Sequence, residues 1–337
     1  MRYLLAHLQG PKKRILNFIS ILVTLFALIF LSSNAAWAKP YRVLVISSGN
    51  TSTYNNIIDI IQSRVTSSKT VAKRVPDITF DIMSLNTTTT EQIKRSIREH
   101  DLLLTIGQRA MASVTKAKSL PPTIMTLIPK QSYDKHRSAL HKINKQITAI
   151  FIDNPLERQV ILAKILLGGT HSLGVLVGER APYDKRTIKS VTQKFGLKSQ
   201  IVSVKKTDNL IRKLSEVIND SDSFLALPDA QIFNRSTAKN ILLTTYRQRT
   251  PIIAYSASYV RAGALAAVYS TPEQIADQTA NTLIKFLTNG PAATNKDSHP
   301  SDFEISINSN VAKSLGIPVP SESQIKSELL KILGEKQ

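Results

Sequence analysis

The sequence contains no cysteine. Disulfides are excluded, and so is the thiolate chemistry that serves many metal sites and nucleophiles. A lipid-modified cysteine at the start of a processed chain is excluded on the same ground. Catalytic signatures are missing as well. There is no GxSxG elbow, no GxxxxGK[ST] phosphate loop and no HExxH pair, the usual supports for a serine hydrolase, a nucleotidase and a zinc enzyme. His136 and His141 stand five apart, not the four that would put both on one helical face, and no carboxylate pattern accompanies them. The residues therefore imply no cofactor, no metal and no enzyme.

Acidic residues are scarce. Asp and Glu number 24 against 44 Lys and Arg, a formal net charge of +20. Such an excess can mark a nucleic-acid partner, but the basic residues are scattered: Lys69, Lys73 and Arg74; Lys94, Arg95 and Arg98; Lys205 and Lys206; Arg247 and Arg249. No RNA or DNA motif accompanies them, so no nucleic acid is expected. The charge reads as solvated basic faces first, and as attraction to anionic membrane surfaces or partners second.

Long apolar runs are missing too, apart from Ile15–Leu31. Lys12, Lys13 and Arg14 precede it, and Ala36-Trp37-Ala38 follows with small residues where a signal peptidase reads. Cleavage after Ala38 and release into the periplasm are expected. The alternative is a retained N-terminal anchor facing the periplasm, since the run is at the short limit for a bilayer span. Membrane contact is then transient, or made through this segment.

What remains alternates between apolar strands and helical patterns. Tyr41–Ile46 reads as a strand ending in Ser47-Ser48-Gly49-Asn50, a turn that can present backbone N–H groups. No second or third glycine follows, so it is not a dinucleotide fingerprint. A helix is expected over Tyr54–Val65 and a strand over Ile78–Leu85. A helix over Glu91–Arg98 follows, with Thr88 and Glu91 at capping-box spacing. Leu102–Ile106 is a strand ending in Gly107-Gln108-Arg109-Ala110, where a helix begins. Strands are expected at Thr123–Leu127 and Ile147–Ile152, with a polar stretch carrying Tyr133, His136 and His141 between them. Asp153-Asn154-Pro155 breaks the second of these.

The pattern then repeats. Leu173–Val177 is a strand and Gly178–Pro182 a turn; Asp184–Phe195 is a helix, Gln200–Val204 a strand, Asp208–Ile218 a helix. Leu225-Ala226-Leu227 stops at Pro228-Asp229, and Asn234 and Ser236 can cap the next helix. Ile252–Tyr255 ends in Ser256, and Ala264–Tyr269 follows Gly263. Pro272 opens a helix that stops at Asn289-Gly290. After a polar linker, Phe303, Ile305 and Ile307 alternate as an edge strand, and Ser323–Leu333 closes the chain. Strand–helix alternation of this kind is a parallel α/β arrangement.

The order strand, Pro228-Asp229, helix, Pro251 and strand, Ser256, then Val260-Arg261-Ala262-Gly263-Ala264-Leu265-Ala266, resembles the ABC-transporter substrate-binding proteins. The likeness is to the type I periplasmic-binding-protein branch that includes tryptophan and tyrosine binders. Ser306–Pro320 resembles the closing element of that family. The resemblance implies a two-lobed α/β fold, each lobe a mainly parallel sheet flanked by helices, preceded by a signal peptide. Its segments are expected as signal peptide 1–38, lobe one 39–152 with a returning helix about 271–295, lobe two 153–270 with about 300–320, and a C-terminal helix 321–337. It implies a protein that captures a small organic ligand, an amino acid among the candidates, between its lobes and serves an inner-membrane ABC permease. A ligand-sensing or accessory module of a membrane receptor is the alternative function, and a secreted enzyme a third. Family members carry a small hydroxyl residue after the glycine where Gln108 follows Gly107.

Parallel sheets bind ligands beyond the carboxyl ends of their strands. The candidates there are Ser48, Asn50, Gly107 and Gln108 in the first lobe, and Tyr183, Asp229, Ser256 and Tyr259 in the second. Asp229 reads in two ways: a cleft acid for a ligand's cationic or donor end, or a turn residue that satisfies local amides. Tyr255 and Tyr259 read as an aromatic wall or as packing. Arg180 joins Tyr183 at the mouth.

Overall fold

The computed structural model describes residues 40–168, 171–294 and 296–334. The leader expected over residues 1–38 lies outside them, as do the last three residues of the expected C-terminal helix. Among the described residues no helix is long and apolar enough to cross a membrane.

The chain builds two sheets. The first comprises β1 (Tyr41–Ser47), β2 (Ile78–Ser84), β3 (Leu102–Ile106), β4 (Thr123–Ile128) and β5 (Ile147–Phe151). Its order is β2-β1-β3-β4-β5, parallel throughout. The second comprises β6 (Ser172–Gly178), β7 (Lys198–Val204), β8 (Ser223–Leu225), β9 (Ile252–Ala254), β10 (Ala266–Tyr269) and β11 (Glu304–Ile307). Its order is β11-β10-β9-β8-β6-β7, and β11 alone pairs antiparallel, with β10.

Strands covered on both faces carry near-continuous apolar runs, because successive side chains point to opposite sides. In β1, Val43 and Val45 face one core with Ile57, Ile61 and Leu283. Leu44 and Ile46 face another, with Ile97, Leu103 and Met111. Two further cores cover the faces of the second sheet. None of the four cores mixes strands of both sheets, so each lobe has its own apolar interior.

The connections decide which segments each lobe owns. From β5 the chain passes to the helix Leu156–Leu167, which packs in a second-lobe core. From β10 it passes back to the helix Pro272–Asn289, whose Ile275, Ala280 and Leu283 lie in a first-lobe core. It then returns to β11 and to the helix Glu322–Leu333, where Ile325, Leu329 and Leu330 join the second lobe.

Local chemistry moves several expected boundaries. The capping box forms at Thr89 and Gln92, not at Thr88 and Glu91: Thr89 Oγ1 accepts the Gln92 N–H and Gln92 Oε1 accepts the Thr89 N–H. The amides of Thr87 and Thr88 are held by the Ser84 carbonyl in the turn after β2, so the cap falls one residue later than expected, and the helix runs over Thr90–Glu99. Asn234 does not cap a helix directly. Its Oδ1 takes the amides of Ser236 and Thr237 in a local turn, and the helix runs over Ala238–Arg247. The polar stretch after Pro129 is a helix, Lys130–Ile143. Ser256 starts the short helix Ala257–Ala262 instead of a bare turn.

All three passages between the lobes join one hydrogen-bond network built around a buried guanidinium. Arg158 is 3% exposed. Its Nη1 donates to Asn154 Oδ1 and to the Pro300 carbonyl, both at 2.8 Å, and its Nη2 donates to the Ser301 carbonyl at 3.2 Å. The guanidinium also stacks 4.4 Å from the ring centroid of Phe303. Asn154 Nδ2 in turn donates to Ser270 Oγ, whose hydroxyl donates to the Asp302 carbonyl. The first, second and third crossings are thereby tied together. Replacing Arg158 with methionine keeps the bulk but takes the Nη1 donor from the buried Pro300 carbonyl and the bonds from Asn154 and the Ser301 carbonyl. Each such loss costs about 1–3 kcal/mol. Urea unfolding of Arg158→Met should show stability lower by about 3 kcal/mol; a loss below about 1 kcal/mol would mean that the crossings hold without it.

Candidate functional site

In parallel sheets the loops after the strands collect at one end. The end of β4 is the most irregular of these places. Its pairing with β5 shifts between Thr126 and Ile128, and Leu127 sits at φ 53°, a left-handed conformation uncommon for any residue but glycine. Bulges of this kind re-aim the chain beside binding sites. Here the chain is turned so that Pro129 enters the space between the lobes and Lys130 starts a helix. Asp153, just past β5, fixes that start: its Oδ2 accepts the Lys130 N–H at 2.5 Å. The Asp153 carbonyl meets His299 Nδ1 at 2.7 Å, which joins the last crossing to the same corner.

Two cavities lie between the lobes, and both touch Pro129 after β4 and Pro228 after β8. The inner one, about 300 Å³, is next to the crossings. Asp153, Asn154 and Gln159 line it with Tyr255, Ser256, Tyr269 and Ser270. The outer one is about 670 Å³. Gln108, Gln131, Ser132 and Lys135 of the first lobe face Arg180, Lys205, Lys206, Asp208, Asp229 and Gln231 of the second across it. The inner cavity is a small chamber with tyrosines and one carboxylate; the outer is wide and carries four cations.

The eight expected residues divide by what their side chains touch. Gln108 and Asp229 line the outer cavity and Ser256 the inner one. Ser48 is buried, and its Oγ accepts the Ala110 N–H at 2.9 Å in the first turn of the helix Gln108–Val114. Gly107 sits at φ +89°, and a Cβ there would lie 2.6 Å from that Oγ, so glycine is needed for the chain to pass. Asn50 is exposed and its Oδ1 accepts from Asn86 Nδ2. Tyr183 donates its hydroxyl to the Asn154 carbonyl at 3.3 Å, and burial raises its pKa. Tyr259 stacks edge-on to Phe233 at 6.0 Å and lies 5.5 Å from Tyr255. Of that pair it is Tyr255 that reaches a cavity.

Asp229 takes the partners of the turn reading. It is 2% exposed; its Oδ2 accepts the Gly178 N–H at 2.9 Å and its Oδ1 the Gln231 N–H at 3.0 Å. The carboxylate ties the end of β6 to the turn after β8. A Cβ on Gly178 would come within 2.5 Å of that carboxylate, so the two strand ends approach as closely as glycine allows.

Sequence reading did not find Asp153, Gln159, Gln131, Lys135 or the pair Lys205-Lys206 as cleft residues. Asp153 and Asn154 were visible as a strand break, and the lysines as charge. What marks them is convergence from distant strands, for which one strand's own pattern carries no signal.

A family model described as ABC transporter substrate binding protein matches residues 76–328. Three solved structures share the fold. One is the ABC domain in complex with L-Trp from Streptococcus pneumonia, 20% identical, with a TM-score of 0.53 over 85% of this chain and 98% of that one. Another is a conserved domain protein from Vibrio cholerae, 20% identical, with a TM-score of 0.54 over 86% and 98%. The third is the ligand-free, open structure of a substrate-binding protein with adhesive properties from Clostridium difficile, 17% identical, with a TM-score of 0.61 over 83% and 96%. At these identities the likeness is one of fold, the two-lobed type I periplasmic-binding-protein architecture that the sequence resemblance implied. No curated protein sequence matches the chain.

Asp153 carries a measurable cost. Burial raises its pKa above the ordinary value of 3.8, against the lowering pull of the Lys130 amide and the His299 ring. A carboxyl raised in the folded state binds protons more tightly there than in the unfolded chain. Its contribution is therefore fully present below the unfolded pKa and is lost as pH rises through the folded pKa. Asp153→Asn keeps an acceptor for the Lys130 amide and removes the charge. The variant should melt higher than wild type near neutral pH, and the gap should close as pH falls into the acidic range. A gap that widens toward acid would show that the carboxylate stabilises the corner in its charged form.

Proposed function

Because the chain belongs to the family of ABC transporter substrate-binding proteins, we propose that it captures a small organic solute between its lobes and delivers it to an inner-membrane ABC permease. The place of action in this reading is the periplasm, and the protein's part is binding, with no catalytic step. One observation carries the reading: both cavities are lined from the strand ends of both sheets, with Pro129 and Pro228 common to the two. A solute seated there touches both lobes at once, so its binding energy favours the arrangement in which they approach.

The inner chamber supports a ligand end that is planar or apolar and carries a donor. Tyr255 and Tyr269 offer ring surface, and Asp153 is a half-buried carboxylate whose described side-chain hydrogen bonds come from backbone amides. Holding a charge in such a place without a cation is costly, and an ammonium group brought by the ligand removes the cost. A relative with this fold is solved with L-Trp, and aromatic amino acids are the first compounds to try. Asp153 thus takes the role that sequence reading weighed for Asp229.

Thermal-shift screening with amino acids, amines, sugars and organic acids tests the proposal. A ligand at about 100-fold its Kd adds roughly 2.7 kcal/mol to stability. Calorimetry of an amine-bearing hit should then show Asp153→Asn weaker by about 30-fold or more, since a lost buried charge contact costs on the order of 2–5 kcal/mol. No stabilisation by any small solute would contradict capture. An unchanged affinity in the variant would remove Asp153 from the site.

A further inference from the structure

The outer cavity differs from the inner one in charge, and the difference points to a ligand class. Lys135 comes from the first lobe, on the helix Lys130–Ile143. Arg180 follows β6, and Lys205 and Lys206 follow β7. All four line one cavity of about 670 Å³. Among the described residues, the side chains of these four form no ion pair or hydrogen bond, whereas Lys130 and Lys213 each hold a neighbouring carboxylate.

The two carboxylates that share the cavity offset half of this charge, leaving a net of two positive charges, and among the described residues neither pairs with a cation. Asp208 accepts the Lys205 backbone amide at 2.8 Å, closing the turn in which it stands. Asp229 is committed to Gly178 and Gln231, as described. Four cations thus face two acids that each accept backbone amides, through both oxygens of Asp229 and through Oδ2 of Asp208. Gln108 and Gln131 add side-chain amides with no partner among the described residues. A concave wall of one sign concentrates ligands of the other.

We infer that the part of the solute held in the outer cavity is an anionic group of at least two charges, a phosphate ester or a polycarboxylate. This rests on the reading of the cleft as a solute site and adds the ligand's chemistry to it. A solute spanning both cavities would place its donor or planar end by Asp153 and Tyr255. Its anionic end would lie among Arg180, Lys205, Lys206 and Lys135.

Matched pairs of compounds test it: glycerol and glycerol 3-phosphate, tyrosine and phosphotyrosine, propionate and citrate, with inorganic phosphate and pyrophosphate as bare anions. Each is titrated calorimetrically into the protein at low and at high salt. The triple variant Arg180→Ala/Lys205→Ala/Lys206→Ala is compared with Lys69→Ala/Lys73→Ala/Arg74→Ala, which removes equal charge from the helix Lys69–Arg74, a helix that lines neither cavity. The anionic member of at least one organic pair should bind about 10-fold tighter than its neutral or singly charged partner. That advantage should vanish in the cleft triple, survive in the other triple and shrink in high salt. Equal loss in both triples would show a general charge effect and overturn the inference. A neutral compound that binds as well as its anionic partner would overturn it too, while leaving solute capture in place. Binding by no member of the panel would also overturn it. Pyrophosphate that binds alone, with no organic anion doing so, would reduce the site to an anion site without a solute's selectivity and count against the assignment.

Discussion

A charged side chain placed where water does not reach must spend its hydrogen bonds on protein, and in this chain Arg158 spends them on two of the three passages between lobes. Its partners, Asn154, Pro300 and Ser301, lie on two of the crossings, and Asn154 reaches the third through Ser270. The cores on either side are separate. What holds the halves in register is therefore polar and directional, not a shared apolar interior.

The cleft inherits its form from that joint. Asp153 and Asn154 are adjacent residues; one closes the start of the helix at Lys130, the other belongs to the Arg158 network. The strained backbone at Leu127 and the close approach of Gly178 to Asp229 set the strand ends on the two sides. Much of the polar chemistry near the cleft is thus consumed in shaping it. Ser48, Gly107 and Asp229 serve backbone amides or backbone clearance. Asp153 inside, and the lysines and arginine outside, are the groups that the proposed function assigns to a ligand.

Strands and the two-lobed plan were legible because they follow from period and order. Leu102–Ile106 is buried throughout and apolar at every position but Thr105, and the alternation of strand and helix recurs twice. Helices without a simple face were not legible. Lys130–Ile143 buries just Ser132, Tyr133 and Leu140, so no apolar stripe announces it. Leu156–Leu167 buries residues all round, Arg158 and Gln159 among them, and an all-round pattern has no moment to read. The candidate site was legible in part for a related reason. Strand ends can be located from sequence, which put Gln108, Asp229 and Ser256 at the cavities. Whether a strand-end side chain faces a ligand or its own backbone depends on neighbours far away in sequence. For Asp229 that neighbour is Gly178, and for Ser48 it is Ala110.

The claim on which the rest depends is that a solute draws the two separately cored lobes together about the Arg158 joint. Small-angle X-ray scattering of the protein, alone and saturated with a ligand whose affinity has been measured, tests it most directly. Closure of this kind should lower the radius of gyration and shift the scattering profile, with the same midpoint as calorimetry. Superimposable profiles at full saturation would contradict the account.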